Sequence, residues 1–348
     1  MKIEEISLVG NSLEELINIC ESYGNKKFRA EQLFNWIYKN NIDDFRSFNN
    51  IPKDLINILE KKYIIHPLSF VRSTRSSSQL TNKFLFKTQS GSLIESVLMY
   101  EGERVTLCLS TQVGCALDCK FCATAKMGFI ENLDSGEIVD QYLLVRSSLN
   151  RPITNVVFMG MGEPFLNYAN VIKAANLLHD PIGINLGYKR ITISTAGIVK
   201  RIEQFSKERH KFKLAISLNG TTNAQRQSIM PVTKINPLKD LLNASDRYTA
   251  LSNTWLTFEY VLIKDSNDDI SDANRLIKIL SGIKKCKLNI IPYNMTDGMF
   301  QRPDEQQIKL FMKKLKNAPF PVTIRWSKGT DIDAGCGQLV VGERLISA

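Results

Sequence analysis

The most restrictive feature of this 348-residue sequence is a regular alternation of short β-rich runs with helical patterns. Strands that alternate with helices form parallel β/α units joined by right-handed crossovers. Six or seven such units predict an α/β fold, a partial TIM-like barrel of the (β/α)6 type, with its site at the carboxyl ends of the strands. The β-rich runs are VTLCLS (105–110), NVVFMG (155–160), RITIST (190–195), KLAISL (213–218), LTFEYVLI (256–263), KLNIIPYN (287–294) and VTIRW (322–326).

The first 75 residues follow a different pattern, which predicts a small helical accessory domain. Ser12 and Glu15 have the spacing of a capping box at the start of its first helix. Two alternating runs around Ser90 and Gly91 then predict a β-hairpin. We therefore expect three parts: a helical domain that is a candidate for RNA contact (1–75), a hairpin linker (76–100) and a barrel that ends in a loop carrying a reactive cysteine (101–348).

Composition and charge exclude several classes of protein. At 43% hydrophobic and 23% charged residues, the chain is globular rather than disordered or collagenous. A net charge of +10 favours an anionic partner such as nucleic acid, or else simply increases solubility. No apolar run reaches the roughly 18 residues that span a bilayer, and the start lacks the pattern of a signal peptide, so we expect a cytoplasmic protein without a membrane partner.

Three of the seven cysteines form a tight group directly after the first barrel strand, at Cys115, Cys119 and Cys122. An odd cysteine count without a secretion signal argues against a disulfide scaffold, and grouped thiolates suit iron–sulfur clusters, zinc or copper(I). Structural zinc takes four protein ligands, but only three cysteines are grouped here, and none of the three histidines has the spacing that would complete a zinc site. Three thiols on a four-iron cluster instead leave one iron open for a non-protein ligand.

This triplet resembles the signature of radical S-adenosylmethionine (SAM) enzymes. The resemblance implies one 4Fe-4S cluster on the three cysteines, with SAM bound to the open iron and cleaved by one electron to a 5′-deoxyadenosyl radical. In such enzymes the turn that corresponds to Gly162 and Glu163 binds the SAM amino group.

Further polar residues end other strands on the same rim, and each is equally well explained as a cap or turn residue. Together they predict a ring around the SAM carboxylate, ribose and adenine. They are Ser194, Ser217, Leu218, Asn219 and Asn294.

Two more cysteines stand apart from the triplet. Cys108 lies in the first barrel strand, and Cys336 lies between two glycines near the chain end, in an open loop suited to delivering a thiolate to a second reactant. Cys20 and, with less support, Cys286 have the setting of small buried hydrophobic residues.

Five motifs, taken in order, make the chain similar to the RlmN family of rRNA and tRNA adenosine methyltransferases over nearly its whole length. Gly335 and Asn219 depart from the Ala and His that are frequent in that family. The motifs are VTLCLSTQVGCALDCKFCATAKMGF (105–129), FMGMGEP (158–164), IST-x-G (193–197), R-x3-MPV (226–232) and DIDA-x-CGQL (331–339).

The resemblance implies methylation of adenosine C2 in 23S rRNA, at the peptidyl transferase centre, and in certain tRNAs beside the anticodon. It implies 23S rRNA and tRNA as partners and an electron donor such as flavodoxin or ferredoxin; a monomer is the default. Because adenine C2 is an electron-poor sp² carbon without a lone pair, it cannot attack the SAM methyl group in a polar displacement. The chemistry therefore needs a radical.

In the mechanism that the resemblance implies, Cys336 takes a methyl group from one SAM, and a second SAM yields the radical that removes a hydrogen atom from that methyl. The resulting carbon radical adds to C2, and Cys108 resolves the protein–RNA adduct through a transient disulfide. Glu95 matches the family's proton acceptor, although a glutamate on a strand is most often simply solvated.

Several basic and aromatic residues are candidates for RNA contact. The basic pairs are equally well explained as solvated surface charges, and core packing is the more usual role for aromatic residues in strands. The candidates are Lys189 with Arg190, Lys200 with Arg201, Lys284 with Lys285, Trp326 and Tyr293.

Three alternatives compete with this interpretation. One is a Cfr-like enzyme that methylates adenine C8, the second a non-enzymatic iron–sulfur protein that binds or senses RNA, and the third a glycyl-radical activase. The positive net charge and the extra cysteines disfavour the third.

Overall fold

The computed structural model describes residues 6–296 and 298–340. Its strands are β1 (Ile6–Ser7), β2 (Tyr63–Ile64), β3 (Ser69–Arg75), β4 (Thr81–Lys87), β5 (Leu93–Glu101), β6 (Arg104–Leu109), β7 (Gln112–Gly114), β8 (Phe129–Asn132), β9 (Asn155–Phe158), β10 (Ile191–Thr195), β11 (Lys213–Ser217), β12 (Leu256–Leu262), β13 (Cys286–Pro292) and β14 (Val322–Ile324). Its α-helices are α1 (Leu13–Ser22), α2 (Phe28–Phe34), α3 (Lys53–Lys62), α4 (Ala123–Lys126), α5 (Ser135–Ser147), α6 (Tyr168–His179), α7 (Val199–Lys207), α8 (Asn223–Ile229), α9 (Leu238–Ser252), α10 (Ile270–Leu280) and α11 (Glu305–Leu315).

The centre of the molecule is a ten-stranded sheet in the order β14-β13-β12-β11-β10-β9-β6-β5-β4-β3. From β6 to β14 all neighbouring strands in this order are parallel, and helices α5 to α11 lie in the connections between them. The edge strands β14 and β3 are at opposite ends of the order, so the described sheet does not close. The predicted partial barrel is therefore confirmed.

The parallel strands form because their residues suit burial on both faces of the sheet. In β11, Leu214, Ala215 and Ile216 are all fully buried. In β10 and β12, buried apolar residues alternate with polar ones that face the barrel interior. Continuous apolar runs are typical of parallel strands that are covered by helices. Their carboxyl ends consequently meet on one rim, above the helices' amino ends.

Strands β3, β4 and β5 extend this sheet in an antiparallel direction. The turn between β4 and β5 contains Gly91 with a φ of +95°, and it produces the hairpin expected around Ser90 and Gly91. β5 then pairs with β6, so this hairpin is continuous with the barrel sheet. The division of the chain into domains at residues 75 and 100 stays a prediction.

Residues 6–65 pack against α5 and α6 through a shared apolar core. The predicted capping box is present, because the Ser12 N–H donates to Glu15 Oε2 (2.7 Å) and the Glu15 N–H donates to Ser12 Oγ (3.3 Å). Cys20 and Cys286 are buried, as expected. No helix in the described part of the chain is long and apolar enough to cross a membrane.

Residues 326–340, here called the cysteine segment, run from the end of β14 to the antiparallel strands on the other edge of the sheet. Asp331 accepts hydrogen bonds from the Ser77 N–H and hydroxyl, both 2.8 Å long. Lys328 Nζ donates to the carbonyl oxygen of Tyr100 (2.9 Å). The segment therefore bridges the open side of the barrel.

Candidate active site

The three grouped cysteines lie in the cluster loop (residues 115–122), between β7 and α4 at the carboxyl end of β6. All three line one cavity of about 170 Å³. Burial raises the pKa of the Cys115 thiol to about 12, and it also raises the pKa of Cys119, with further contributions from the charges of the other two thiols. Because burial disfavours their charged form, three thiolates in this cavity need a cationic partner, and iron supplies that positive charge.

The donor set fits a cluster better than a single ion. Among the described residues, no three His, Cys, Asp or Glu side chains are arranged to hold one metal ion. The thiols of a 4Fe-4S cluster bind different iron atoms, so they stand further apart than the ligands of one zinc ion. Cys115, Cys119 and Cys122 are therefore the residues that would hold the cluster.

Gly162 and Glu163 line the same cavity opposite the cluster loop. Gly162 has a φ of +93°, and a Cβ at this position would lie only 2.8 Å from the backbone nitrogen of Gln112. Glu163 is 3% exposed; its two oxygens accept hydrogen bonds from the Ala196 N–H (2.7 Å) and the Phe165 N–H (2.9 Å). Burial raises the pKa of Glu163, and these two N–H groups oppose the rise.

The other predicted SAM contacts divide into two groups. Ser194, Ser217 and Asn219 line the cavity with the cluster cysteines. Leu218 is fully buried and is not among the residues that line it. Asn294 also lies outside the lining: its amide donates to the carbonyl oxygen of Cys336 (3.0 Å) and to Ser327 Oγ (2.8 Å). In this structure Asn294 thus holds the cysteine segment.

Arg226, noted in the sequence only as part of a motif, holds the strand ends that form this rim. It is fully buried, and its guanidinium donates to the carbonyl oxygens of Leu218 (2.9 Å), Ser217 (3.2 Å) and Ala196 and to Thr233 Oγ1 (2.7 Å). Burial lowers its pKa to about 10. Arg226 therefore ties the end of β10 to the end of β11.

Cys336 and Cys108 are 228 residues apart in sequence and line a common second cavity of about 620 Å³. Cys336 also lines the first cavity, with the cluster cysteines, so this residue belongs to the walls of both. Cys108 is 7% exposed, and burial together with the charge of Cys336 raises its pKa to about 12. All seven cysteines are free thiols in this structure.

Two charged residues of this region were missed by the sequence analysis. Arg325 and Glu259 line both cavities, at the ends of β14 and along β12. The pKa of Arg325 is raised, chiefly by its electrostatic interaction with the nearby Cys336. The sequence did contain a signal for them: in VTIRW and LTFEYVLI, Arg325 and Glu259 alternate with apolar residues. Because every second residue of a strand faces the same side, this alternation could have placed both side chains inside the barrel.

Glu95 does not have the solvated setting that is usual for a glutamate on a strand. It is 2% exposed, forms a 3.0 Å ion pair with Lys83 and accepts a 3.2 Å hydrogen bond from the Val340 N–H. Burial raises its pKa, which Lys83 partly offsets. It is not among the residues lining either cavity, and its contact with Val340 links it to the cysteine segment.

The two aromatic candidates differ in exposure. Tyr293 is 1% exposed and packs in the core, as expected. For Trp326 the prediction of core packing is wrong, because its side chain is 51% exposed and lines the cavity of Cys108 and Cys336. The reason is that β14 is a three-residue edge strand with only one neighbour, so residues after it are not covered.

Comparisons with known proteins agree with this architecture. The family described as "Ribosomal RNA large subunit methyltransferase N-terminal domain" matches residues 6–65, and the radical SAM superfamily matches residues 109–277. A crystal structure of a radical SAM methyltransferase from Sphaerobacter thermophilus has a TM-score of 0.93 and 38% identity, covering 96% of this chain and 99% of that one.

Two curated relatives match over nearly their full length. A probable dual-specificity RNA methyltransferase RlmN from Pseudothermotoga lettingae is 39% identical over 98% of this chain and 99% of its own. A dual-specificity RNA methyltransferase RlmN from Geotalea uraniireducens is 39% identical, and the alignment covers 97% of each chain.

An open parallel β/α sheet with three thiols at the carboxyl end of its first barrel strand defines a radical SAM protein. Within that superfamily, the N-terminal domain and the full-length similarity are decisive. The chain belongs to the RlmN family.

Proposed function

We propose that this chain is an RNA methyltransferase that methylates C2 of an adenosine in 23S rRNA, at the peptidyl transferase centre, and in tRNA beside the anticodon. The observation that carries the proposal is the position of Cys336, which lines both the cavity of the cluster cysteines and the cavity of Cys108. One sulfur can thereby meet a methyl donor on one side and a nucleobase on the other.

In this proposal Cys336 acts as a thiolate that accepts a methyl group from one SAM molecule and becomes S-methylcysteine. Cys115, Cys119 and Cys122 would hold the 4Fe-4S cluster, which together with a second SAM and an electron from flavodoxin or ferredoxin would supply carbon-radical chemistry. The methyl group on Cys336 would lose a hydrogen atom to that radical. The sulfur-bound CH₂ radical of Cys336 then adds to adenine C2. Two SAM molecules are used in each turnover.

Release of the RNA requires two further residues. Glu95 takes the C2 proton, and its raised pKa makes its carboxylate a stronger base than a solvated glutamate. The unpaired electron of the adduct would pass to the oxidised cluster. The Cys108 thiolate then attacks the Cys336 sulfur and forms a disulfide; the sulfur–CH₂ bond breaks, its electron pair stays on the carbon, and that carbon takes up a proton to become the methyl group of the released base. The disulfide is then reduced. Both oxygens of Glu95 are hydrogen-bonded in this structure, to Lys83 and Val340, so the cysteine segment must shift at Val340 for this step.

The SAM site in the proposal follows the lining of the first cavity. Gly162, Glu163, Ser194, Ser217 and Asn219 surround SAM. Leu218 does not contact it, because its backbone N–H and carbonyl oxygen are hydrogen-bonded to Glu259 and Arg226. Asn294 positions the segment that carries Cys336.

The test is anaerobic reconstitution with iron, sulfide, SAM, reductant and an RNA hairpin with an unpaired adenosine. We expect a methyl group on the Cys336 peptide by mass spectrometry and 2-methyladenosine in the digested RNA. Cys336→Ala should give neither, and Cys108→Ala should accumulate a covalent protein–RNA adduct on a denaturing gel. Cys20→Ala, which alters a buried cysteine of the N-terminal helices, is the control and should behave as wild type.

Other products would decide between the alternatives. 8-Methyladenosine would assign the chain to the Cfr-like reaction. RNA binding without SAM cleavage would indicate a non-enzymatic iron–sulfur protein. An unmodified Cys336 in an active enzyme would refute the two-step methyl transfer.

A further inference from the structure

The second cavity continues from the two cysteines down through the barrel to the amino ends of the strands. Side chains on one face of a strand recur every second residue, so Arg104 and Cys108 share a face of β6. In the same way Lys213 shares a face with Ser217 on β11, and Lys287 shares one with Ile291 on β13. Arg104, Lys213 and Lys287 all line this cavity, at the ends of their strands opposite Cys336.

The interior of this barrel contains an open cavity rather than a fully packed core. A closed TIM barrel is filled by layers of branched apolar side chains. Here the cavity wall between the cysteines and the lower end combines apolar residues such as Val97, Met99 and Val157 with short polar residues that leave space. The short polar residues are Thr106, Thr192, Thr257, Asn289 and Thr323.

The lower mouth of this cavity, formed by Arg104, Lys213 and Lys287, is cationic. Within residues 6–296 and 298–340, none of these three side chains forms a salt bridge. The pKa of Lys213 is lowered by partial burial and by the positive charges of Lys287, Arg104 and two neighbouring basic residues, Lys189 and Arg190. Cations concentrated without counter-ions are the electrostatic pattern of an anion-binding surface.

Two acids also face the cavity, and they offset only part of the positive charge of the mouth: the charge of Lys287 acts on the carboxylate of Glu259. Glu259 lies two residues above Thr257 on β12, on the side of Arg325, which its charge affects. Glu101 is opposite Arg104 in the β5–β6 pair but forms no ion pair with it in the described structure. The lower mouth keeps an excess of positive charge.

The spacing of the lining residues along β6 fits a nucleotide. Arg104 and Cys108 are four residue steps apart, which corresponds to about 13 Å along the strand. A phosphate at the tip of a basic side chain, with its sugar and base extending upward, spans a comparable distance. We propose that RNA enters the barrel from the amino ends of the strands, with phosphates beside the target adenosine bound by Arg104, Lys213 and Lys287.

This inference rests on the proposed function for its ligand, and its test is independent of the product formed. The dissociation constant of the reconstituted protein for the RNA hairpin is measured at several KCl concentrations. The double variant Lys213→Ala/Lys287→Ala should bind more weakly at low salt. The slope of log K against log salt should fall by about two, because each lysine that is removed no longer neutralises a phosphate.

The control is Lys239→Ala/Lys278→Ala, which removes the same charge from exposed positions on α9 and α10 outside the cavity. Its slope should equal that of wild type. An unchanged slope in the cavity variant, or equal weakening in both variants, would overturn the inference. Product analysis of wild type separates the two proposals: a slope that falls while no 2-methyladenosine forms supports the RNA path and refutes the proposed reaction.

Discussion

The backbone N–H of Ala123 donates a 2.7 Å hydrogen bond to the carbonyl oxygen of Gly337. Ala123 directly follows the third cluster cysteine, and Gly337 directly follows Cys336. The loop proposed to hold the cluster and the segment proposed to carry the methyl group are thus joined backbone to backbone. This hydrogen bond fixes Cys336 beside the first cavity without using either reactive side chain.

Gly162→Ala should impair SAM binding and reduce stability. The φ of +93° and the short approach to Gln112 leave no room for a Cβ, and strain of this kind costs about 1–3 kcal/mol. Thermal unfolding and SAM titration measure the two effects. Gly187→Ala is the control, since a Cβ there meets no atom within 4 Å. Equal behaviour of the two variants would contradict the assignment of this turn.

Arg226→Met should destabilise the protein by about 3 kcal/mol, because buried carbonyl oxygens of Leu218, Ser217 and Ala196 lose their donors. SAM affinity should fall with it, since Ser217 lines the first cavity. Urea unfolding and SAM titration are the measurements. Arg226→Lys keeps the charge but not the planar fork of donors, so it should recover only part of the loss. Full recovery of stability and SAM affinity in Arg226→Lys would show that the positive charge, and not the geometry of the guanidinium, holds the strand ends.

The stability of the fold should decrease as pH rises above about 6.5, through the pair formed by His66 and Asp140. Burial lowers the pKa of His66, but the hydrogen bond and negative charge of Asp140 outweigh this and raise it above 6.5. Protonated His66 therefore stabilises the fold fully below pH 6.5, and this contribution is lost as pH rises through the folded-state pKa.

Urea unfolding from pH 6 to pH 9 tests this pH dependence. His66→Asn keeps an N–H for Asp140 but does not titrate, so it should remove this part of the slope. A slope in the variant equal to that of wild type would rule out the pair as its source.

Trp326→Ala should raise the KM for RNA about tenfold and leave methylation of Cys336 by SAM unchanged. The exposed indole lines the cavity of the two cysteines, and stacking of a base on an aromatic ring contributes about 1–3 kcal/mol. Trp326→Phe should restore most of the affinity. If Trp326→Ala lowers kcat and leaves KM unchanged, Trp326 acts on the chemical step and not on RNA binding.

The features that the sequence predicted well are local in the chain. Cys115, Cys119 and Cys122 are close in sequence, and the period of two in runs such as KLAISL follows from strand geometry alone. Gly162 and Glu163 were selected because they directly follow a strand, and they line the same cavity as the cluster cysteines; their contact with SAM stays a prediction. Predicting the open parallel sheet required only the order of strands and helices along the chain.

The interactions that the sequence could not reveal depend on distant pairs. Glu95 is buried because Lys83 and Val340 cover it, and nothing within the strand LIESVL indicates either partner. Asn294 ends a strand on the expected rim, yet its amide is taken up by Cys336 and Ser327. Trp326 lies on an uncovered edge, a fact set by the strand order rather than by its neighbours in sequence.

The bridging course of the cysteine segment has a consequence for how mutations should be read. Ser77 is attached to Asp331 across 254 residues of sequence, by both its N–H and its hydroxyl. We therefore expect substitutions at Ser77, on one edge of the sheet, to shift the segment that carries Cys336, the proposed nucleophile, which follows β14 on the other edge. A mutational survey restricted to the five motifs would overlook this control point.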